Sequence, residues 1–296
     1  MFLALGLGML VGTTVLNDSL VEGLRARQET LQQQASDLRE QLGDTSQELA
    51  AFERFATDLQ PIVLPNRLPL QPVILVTADG VDADALDESL TALDMSGARV
   101  VTTITVQTAM TSAGGSDAQA LAELLGVATD ATQEELMAAA ADGLAARLAV
   151  GPGRSADPQD DLLGGLLNAG FVVAPGLSDA DLADVGGPDQ AVVVVGGGPS
   201  PAQVPGGALL ASLVARLVDL EMVTVAAESS DPDSAFVTAV RDLTGSAALV
   251  TVDGLDRALG GTALVLGIDS ALLTGEGGAW GIGDQATDPL PPPPAA

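Results

Sequence analysis

The chain contains no cysteine, histidine, lysine or tyrosine. Each absence excludes a chemistry. Without cysteine there is no disulfide, and cysteine usage reports nothing about the redox compartment. Without histidine there is no imidazole base for a Ser-His-Asp triad. A thiolate nucleophile, a Schiff-base lysine and the lysine of a phosphate-binding P-loop are excluded as well. Zinc and copper centres recruit His or Cys, and neither is present. What remains for chemistry is carboxylates, hydroxyls, arginine and backbone amides, so the chain reads as no enzyme and needs no cofactor. Aromatic residues are also scarce, at 2% of 296 residues, so a core must be built from Val, Leu and Ala.

What is present is apolar and acidic. Hydrophobic residues make up 47% of the chain and the mean hydropathy is +0.36. Forty Asp and Glu face eleven bases, all arginine, for a formal charge of −29. Such a surface repels phosphate backbones, so nucleic acid is excluded as a partner, while metal cations are attracted.

The sequence divides into five parts. Residues 1–16, MFLALGLGMLVGTTVL, form an apolar run slightly shorter than the ~20 residues a membrane helix needs. No basic residue precedes Arg25 and no small-x-small exit follows, which argues against a cleaved signal peptide. Gly8 and Gly12 stand at GxxxG spacing, a close-packing device for membrane helices, or a coincidence in a chain with 34 glycines. The expectation is a single-pass transmembrane anchor. Residues 17–60 then carry a heptad. Leu24, Leu31, Leu38, Thr45 and Phe52 share one position, and Gln28, Ala35, Leu42, Leu49 and Ala56 the other. This is the a/d seam of a coiled-coil stalk and implies a homo-oligomer. The alternative is an amphipathic helix packed on its own domain. Residues 61–72 hold Pro61, Pro65, Pro69 and Pro72, a stiff linker.

From 73 to 275 the pattern alternates strand, turn and helix. Buried-type strands are expected at 72–77, 98–106, 171–174, 191–195, 222–227 and 248–252, with a mostly helical stretch at 107–170. The expected fold is α/β, a mostly parallel sheet flanked by helices. Thr132 and Glu135 have capping-box spacing. Asp157-Pro158 and Asp231-Pro232 mark helix starts, and Gly170 a helix end. Residues 276–296 read as a Gly- and Pro-rich tail in which Trp280, the only tryptophan, packs down the chain.

One internal echo bears on function. LVTADGVD (75–82) and LVTVDGLD (249–256) agree at six of eight positions, each a strand running into Asp-Gly. In a parallel sheet both turns lie at the carboxyl edge, where open α/β sheets bind ligands. Asp79, Asp82, Asp253 and Asp256 are therefore the candidate carboxylate cluster for a hard cation or a polar ligand; the competing reading is turn chemistry alone. GGGPSP (196–201) follows a strand but lacks both the GxGxxG pattern and a lysine, and Pro199 and Pro201 remove two amide donors, so a structural turn is expected.

Taken together, FLALGLGMLVGTTVLNDSL, the heptad, the proline linker, the VILVTADG strand and the late TVDGLDRALGGTALVLGIDSALLTGEGGAWGIG segment resemble the actinobacterial copper transport protein MctB family. The resemblance covers nearly the whole chain. It implies an envelope protein with one N-terminal membrane helix, a domain outside the cytoplasmic membrane, and a role in copper export or tolerance, proposed for the family as an outer-membrane channel. It also implies that the apolar run is the distal part of a longer membrane helix. It carries no copper ligands onto this chain, because Met1, Met9, Met95, Met110, Met137 and Met222 are scattered with no MxxM cluster. Nor does the chain show the alternating ten-residue segments of a membrane barrel. Two rivals accompany this reading: a structural coiled-coil scaffold without transport, and a carboxylate-based enzyme at the sheet edge.

Overall fold

The computed structural model describes the backbone of residues 2–151, 161–178, 181–197, 207–231, 234–244, 249–283 and 286–292, and their side chains except those of 2–26, 243 and 244. The chain forms two compact units, Met1–Phe55 and Ala56–Ala296. The first helix, α1 (Phe2–Val63), is 62 residues long and contains Pro61. It therefore runs three residues into the proline segment expected as a linker. Pro61 sits in the last turn, where it cannot donate to the Thr57 carbonyl, and the helix ends two residues later. The expected anchor at 1–16 falls among residues whose side chains are not described. Among the described residues no helix is long and apolar enough to cross a membrane.

The second unit is a seven-stranded sheet. Its elements follow in order: β1 (Pro72–Ala78), α2 (Ala83–Ser96), β2 (Arg99–Val106), α3 (Thr108–Thr111), α4 (Ser116–Leu125), α5 (Gln133–Val150), α6 (Leu162–Asn168), β3 (Val172–Val173), β4 (Ala191–Gly196), α7 (Gly207–Asp219), β5 (Thr224–Glu228), α8 (Phe236–Thr244), β6 (Val250–Val252), α9 (Ala258–Thr274) and β7 (Gly278–Trp280). Strand order is β3-β2-β1-β4-β5-β6-β7. Every neighbouring pair is parallel except β2 and β3. The α/β expectation, a mostly parallel sheet flanked by helices, holds for this unit.

Continuous Val and Ile runs form these strands because both faces are covered. Along β4, Val192 and Val194 enter one core with α5, α7 and α8, while Val193 and Val195 enter the other with α2 and α9. Leu64 and Leu68, which follow α1, join the second core. Local signals act as read. Thr132 and Glu135 close a full capping box on α5, and Gly170 takes φ +74° after α6. The Asp157-Pro158 signal lies outside the described residues, as does Pro232 of the second one.

A buried ion pair ties the helical insertion together. Arg147 of α5 pairs with Asp161 and also donates to the carbonyls of Val185 (2.6 Å) and Leu182 (3.0 Å), while Asp161 caps α6 at the Gly164 amide (3.1 Å). Each charge is thus hydrogen-bonded as well as paired, the condition for burying an ion pair.

Within the segment read as tail, Gly278–Trp280 is the edge strand of the sheet, in parallel register with Val250–Val252. Trp280 is buried in the second core. Glycines make this possible: Gly267 of α9 lets the helix lie against Val250, where a Cβ would come within 2.7 Å.

Candidate functional site

The two Asp-Gly turns are the exits of β1 and β6. Both open at the carboxyl edge of the sheet, but β4 and β5 lie between them. The four carboxylates therefore do not share one crevice. At the β1 exit, Asp79 is exposed and accepts one bond from the Thr108 hydroxyl (3.2 Å). Asp82 is the N-cap of α2, accepting from the Asp84 amide (3.0 Å). Gly80 between them takes φ +87°. These are turn and cap roles.

At the β6 exit the same letters do something else. Asp253 is buried, and its Oδ1 accepts the amides of Ile282 (2.6 Å) and Gly283 (2.7 Å), just past β7. Asp256 holds the Ser230 amide (2.5 Å) and hydroxyl (2.6 Å), drawing in the loop after β5. These bonds frame a cleft of about 440 Å³ at the ends of β5, β6 and β7, onto which Glu228, Arg241, Asp253 and Arg257 open.

Glu228 ends β5 as a buried carboxylate. Its Oε2 accepts from the Ser234 hydroxyl (2.5 Å) and the Val237 amide (3.0 Å) at the start of α8. Arg241, one turn further along α8, directs Nε and Nη2 at the Thr251 hydroxyl (3.0 and 2.7 Å). Burial pushes the Arg241 guanidinium below its ordinary value, opposed by the nearby charges of Asp253 and Glu228. The cleft thus brings opposite charges together around open space, over residues whose own bonds fix them in place.

Sequence reasoning reached Asp253 and Asp256 and missed Glu228 and Arg241. The expected strand at 222–227 stops one residue before Glu228. A signal was available in VAAESSD, a buried strand ending on an acid and two serines. The amides of Ile282 and Gly283 were hidden by reading GAWGIG as tail.

A metal centre is not assembled here. Among the described residues no group of three or more His, Cys, Asp or Glu is placed to hold a metal ion. Of the methionines, the remaining soft ligand type, Met110 and Met222 are buried in the first core, Met137 packs against it, and Met95 stands alone on the surface. Met1 and Met9 lie outside the described side chains.

Search among curated proteins finds no match to this chain. The family model described as copper transport outer membrane protein, MctB, does match, over residues 1–291. That span takes in every strand and helix of the sheet and both Asp-Gly exits, so the resemblance seen in the sequence is a membership: this chain belongs to the MctB family, whose role is in copper transport.

Proposed function

We propose that the protein is a membrane-anchored component of the cell envelope that serves copper transport by assembly and positioning, not by catalysis. Copper is its cargo and not a resident cofactor. The family match across the whole chain carries this reading. The apolar run at 1–16 is the anchor, and the helix that follows is a stalk that associates with further copies.

The exposed side of α1 supports the stalk. Leu31, Leu38, Leu42, Leu49 and Phe52 all stand at a/d positions, and each is at least 44% exposed. Exposed large apolar residues at heptad spacing on one helix are the seam of a coiled coil. The α/β unit contributes a strongly acidic surface that draws cations toward the assembly. That attraction is not selective among cations. Residues 72–280 form an open sheet covered by helices, not a closed antiparallel barrel, so conduction through this unit is not part of the proposal.

Deleting the gene and measuring cellular copper and copper tolerance tests the role. The expected result is altered copper content, restored by the full chain and not by a chain lacking residues 17–58. Normal copper content in the deletion strain would instead make the protein a structural scaffold of the envelope. Light scattering tests the stalk separately: oligomers of unchanged size after removal of 17–58 would refute it.

A further inference from the structure

We propose that the cleft at the ends of β5, β6 and β7 is a binding site for a neutral polyhydroxyl compound, a saccharide ring. This does not rest on the copper reading. Glu228 and Asp253 are each more than nine-tenths buried, at 7% and 8% exposure. Each uses one carboxylate oxygen for protein bonds, Glu228 Oε2 and Asp253 Oδ1. Their second oxygens, Oε1 and Oδ2, have no hydrogen-bond partner among the described residues, and neither is a sealed, unsatisfied atom. Both residues line the cleft. Arg241 is held from one side by Thr251, which leaves Nη1 without a bond among the described residues. Arg241 feels both carboxylates electrostatically.

Acceptors and a donor therefore line one space. A free cation there meets the Arg241 guanidinium, and a free anion meets Glu228 and Asp253. A hydroxyl group avoids both penalties, because it donates to a carboxylate and accepts from a guanidinium at once. Several hydroxyls on one ring match several such groups. The volume, about 440 Å³, is in the range of small-ligand sites. Ile282 on the rim, half-exposed, gives the C–H face of a ring an apolar contact.

Titration calorimetry and saturation-transfer NMR on the full chain test this, with glucose, galactose, mannose, arabinose, maltose and cellobiose as probes. Saturable binding of at least one is expected. E228Q and R241K, checked for folding by circular dichroism, are expected to weaken it by about tenfold or more, since each leaves a buried polar group mismatched to the ring. D79N, at the other exit, is expected to bind as the parent does. No saturable binding of any of the six sugars would overturn the proposal. So would binding that E228Q and R241K leave unchanged, or a cleft that takes glycine betaine, sulfate or cupric ion in preference to every sugar.

Discussion

The exits of β1 and β6 begin with nearly the same eight residues and end as different structures. At β1, LVTADGVD makes a solvent-facing turn and caps a helix. At β6, LVTVDGLD is covered by other chain: Asp253 holds the segment after β7 and Asp256 the loop after β5. Both glycines take positive φ, +87° at Gly80 and +68° at Gly254, but the turns close at different places: the Val81 amide donates to the Ala78 carbonyl at β1 (3.2 Å) and the Arg257 amide to the Gly254 carbonyl at β6 (3.1 Å). The neighbour differs as well. A Cβ on Gly80 would meet nothing within 4 Å, whereas one on Gly254 would come within 3.1 Å of Ile282. The strand that arrives beside the exit decides whether the carboxylate is a cap or a clamp.

The largest effect is expected where that clamp leaves no room. Gly260, in the first turn of α9, lies so close to the β6 exit that a Cβ would stand 2.2 Å from the Gly254 carbonyl oxygen and 2.8 Å from Leu255 Cα. Those are backbone atoms and cannot step aside. G260A is expected to cost about 3 kcal/mol or more in chemical denaturation. If it cost under ~0.5 kcal/mol, the exit would be as open as that of β1.

Next comes Asp253. D253A removes the acceptor for two amides and releases the chain beyond β7. The cost is expected to be about 2–3 kcal/mol, since hydrogen bonds to a charged group are among the stronger ones. Trp280, the only tryptophan, is buried in the adjoining strand and reports the change directly. A red-shifted emission maximum is expected for D253A and not for D79N. At the β1 exit, D82A loses one helix cap, about 1 kcal/mol, and D79N stays within ~0.5 kcal/mol of the parent because Asp79 is exposed and makes one bond. Equal losses at Asp79 and Asp253 would erase the distinction between the exits.

Much of the fold was legible in residues 72–274. Val-rich runs bounded by turn residues gave the parallel strands, and the Thr132–Glu135 spacing gave the start of α5. The signals were local, and local structure obeyed them. The misreadings share a cause. Gly278–Trp280 is three residues long with two small side chains, so it has no strand pattern of its own. It becomes a strand because Val250–Val252 offers an open edge and Gly267 lets α9 sit close. The same holds for the site. Asp253 was visible as a turn residue, but its burial depends on Ile282 and Gly283, 29 and 30 positions away. The four acids looked like one cluster because sequence shows that two strands run the same way and not that two others lie between them. Arg241 carried no mark, since an arginine in a helix is usually solvated; only Thr251 and the two buried acids give it a role.

The smallest effect lies where the two exits communicate. The helices that leave them, α2 and α9, pack on the same face of the sheet. At their contact Glu88 of α2 lies over Gly261 of α9, where a Cβ would be 2.3 Å from its Oε1. Gln60 bridges the pair, donating Nε2 to Glu88 Oε1 (2.6 Å) and to the Ala258 carbonyl (2.9 Å). Burial raises the Glu88 carboxyl above its ordinary 4.5, and the bond from Gln60 opposes that shift. A carboxyl raised in the folded state binds its proton more tightly there than in the unfolded chain. Its contribution to stability is therefore complete below the unfolded value, near 4.5, and is lost as pH rises through the folded value. At neutral pH the charged form is a small burden. E88Q keeps an acceptor for Gln60 and removes the charge, so it is expected to stabilise the domain by roughly 0.5 kcal/mol at pH 7, discounted because the group is only half-buried. Below pH ~4.5 that gain should vanish, as Glu88 in the parent is then neutral in both states. Denaturant midpoints of parent and E88Q across pH 3.5–7.5 measure it. A gain that stayed constant with pH would mean that Gln60 outweighs burial and that the α2–α9 contact carries its carboxylate without cost.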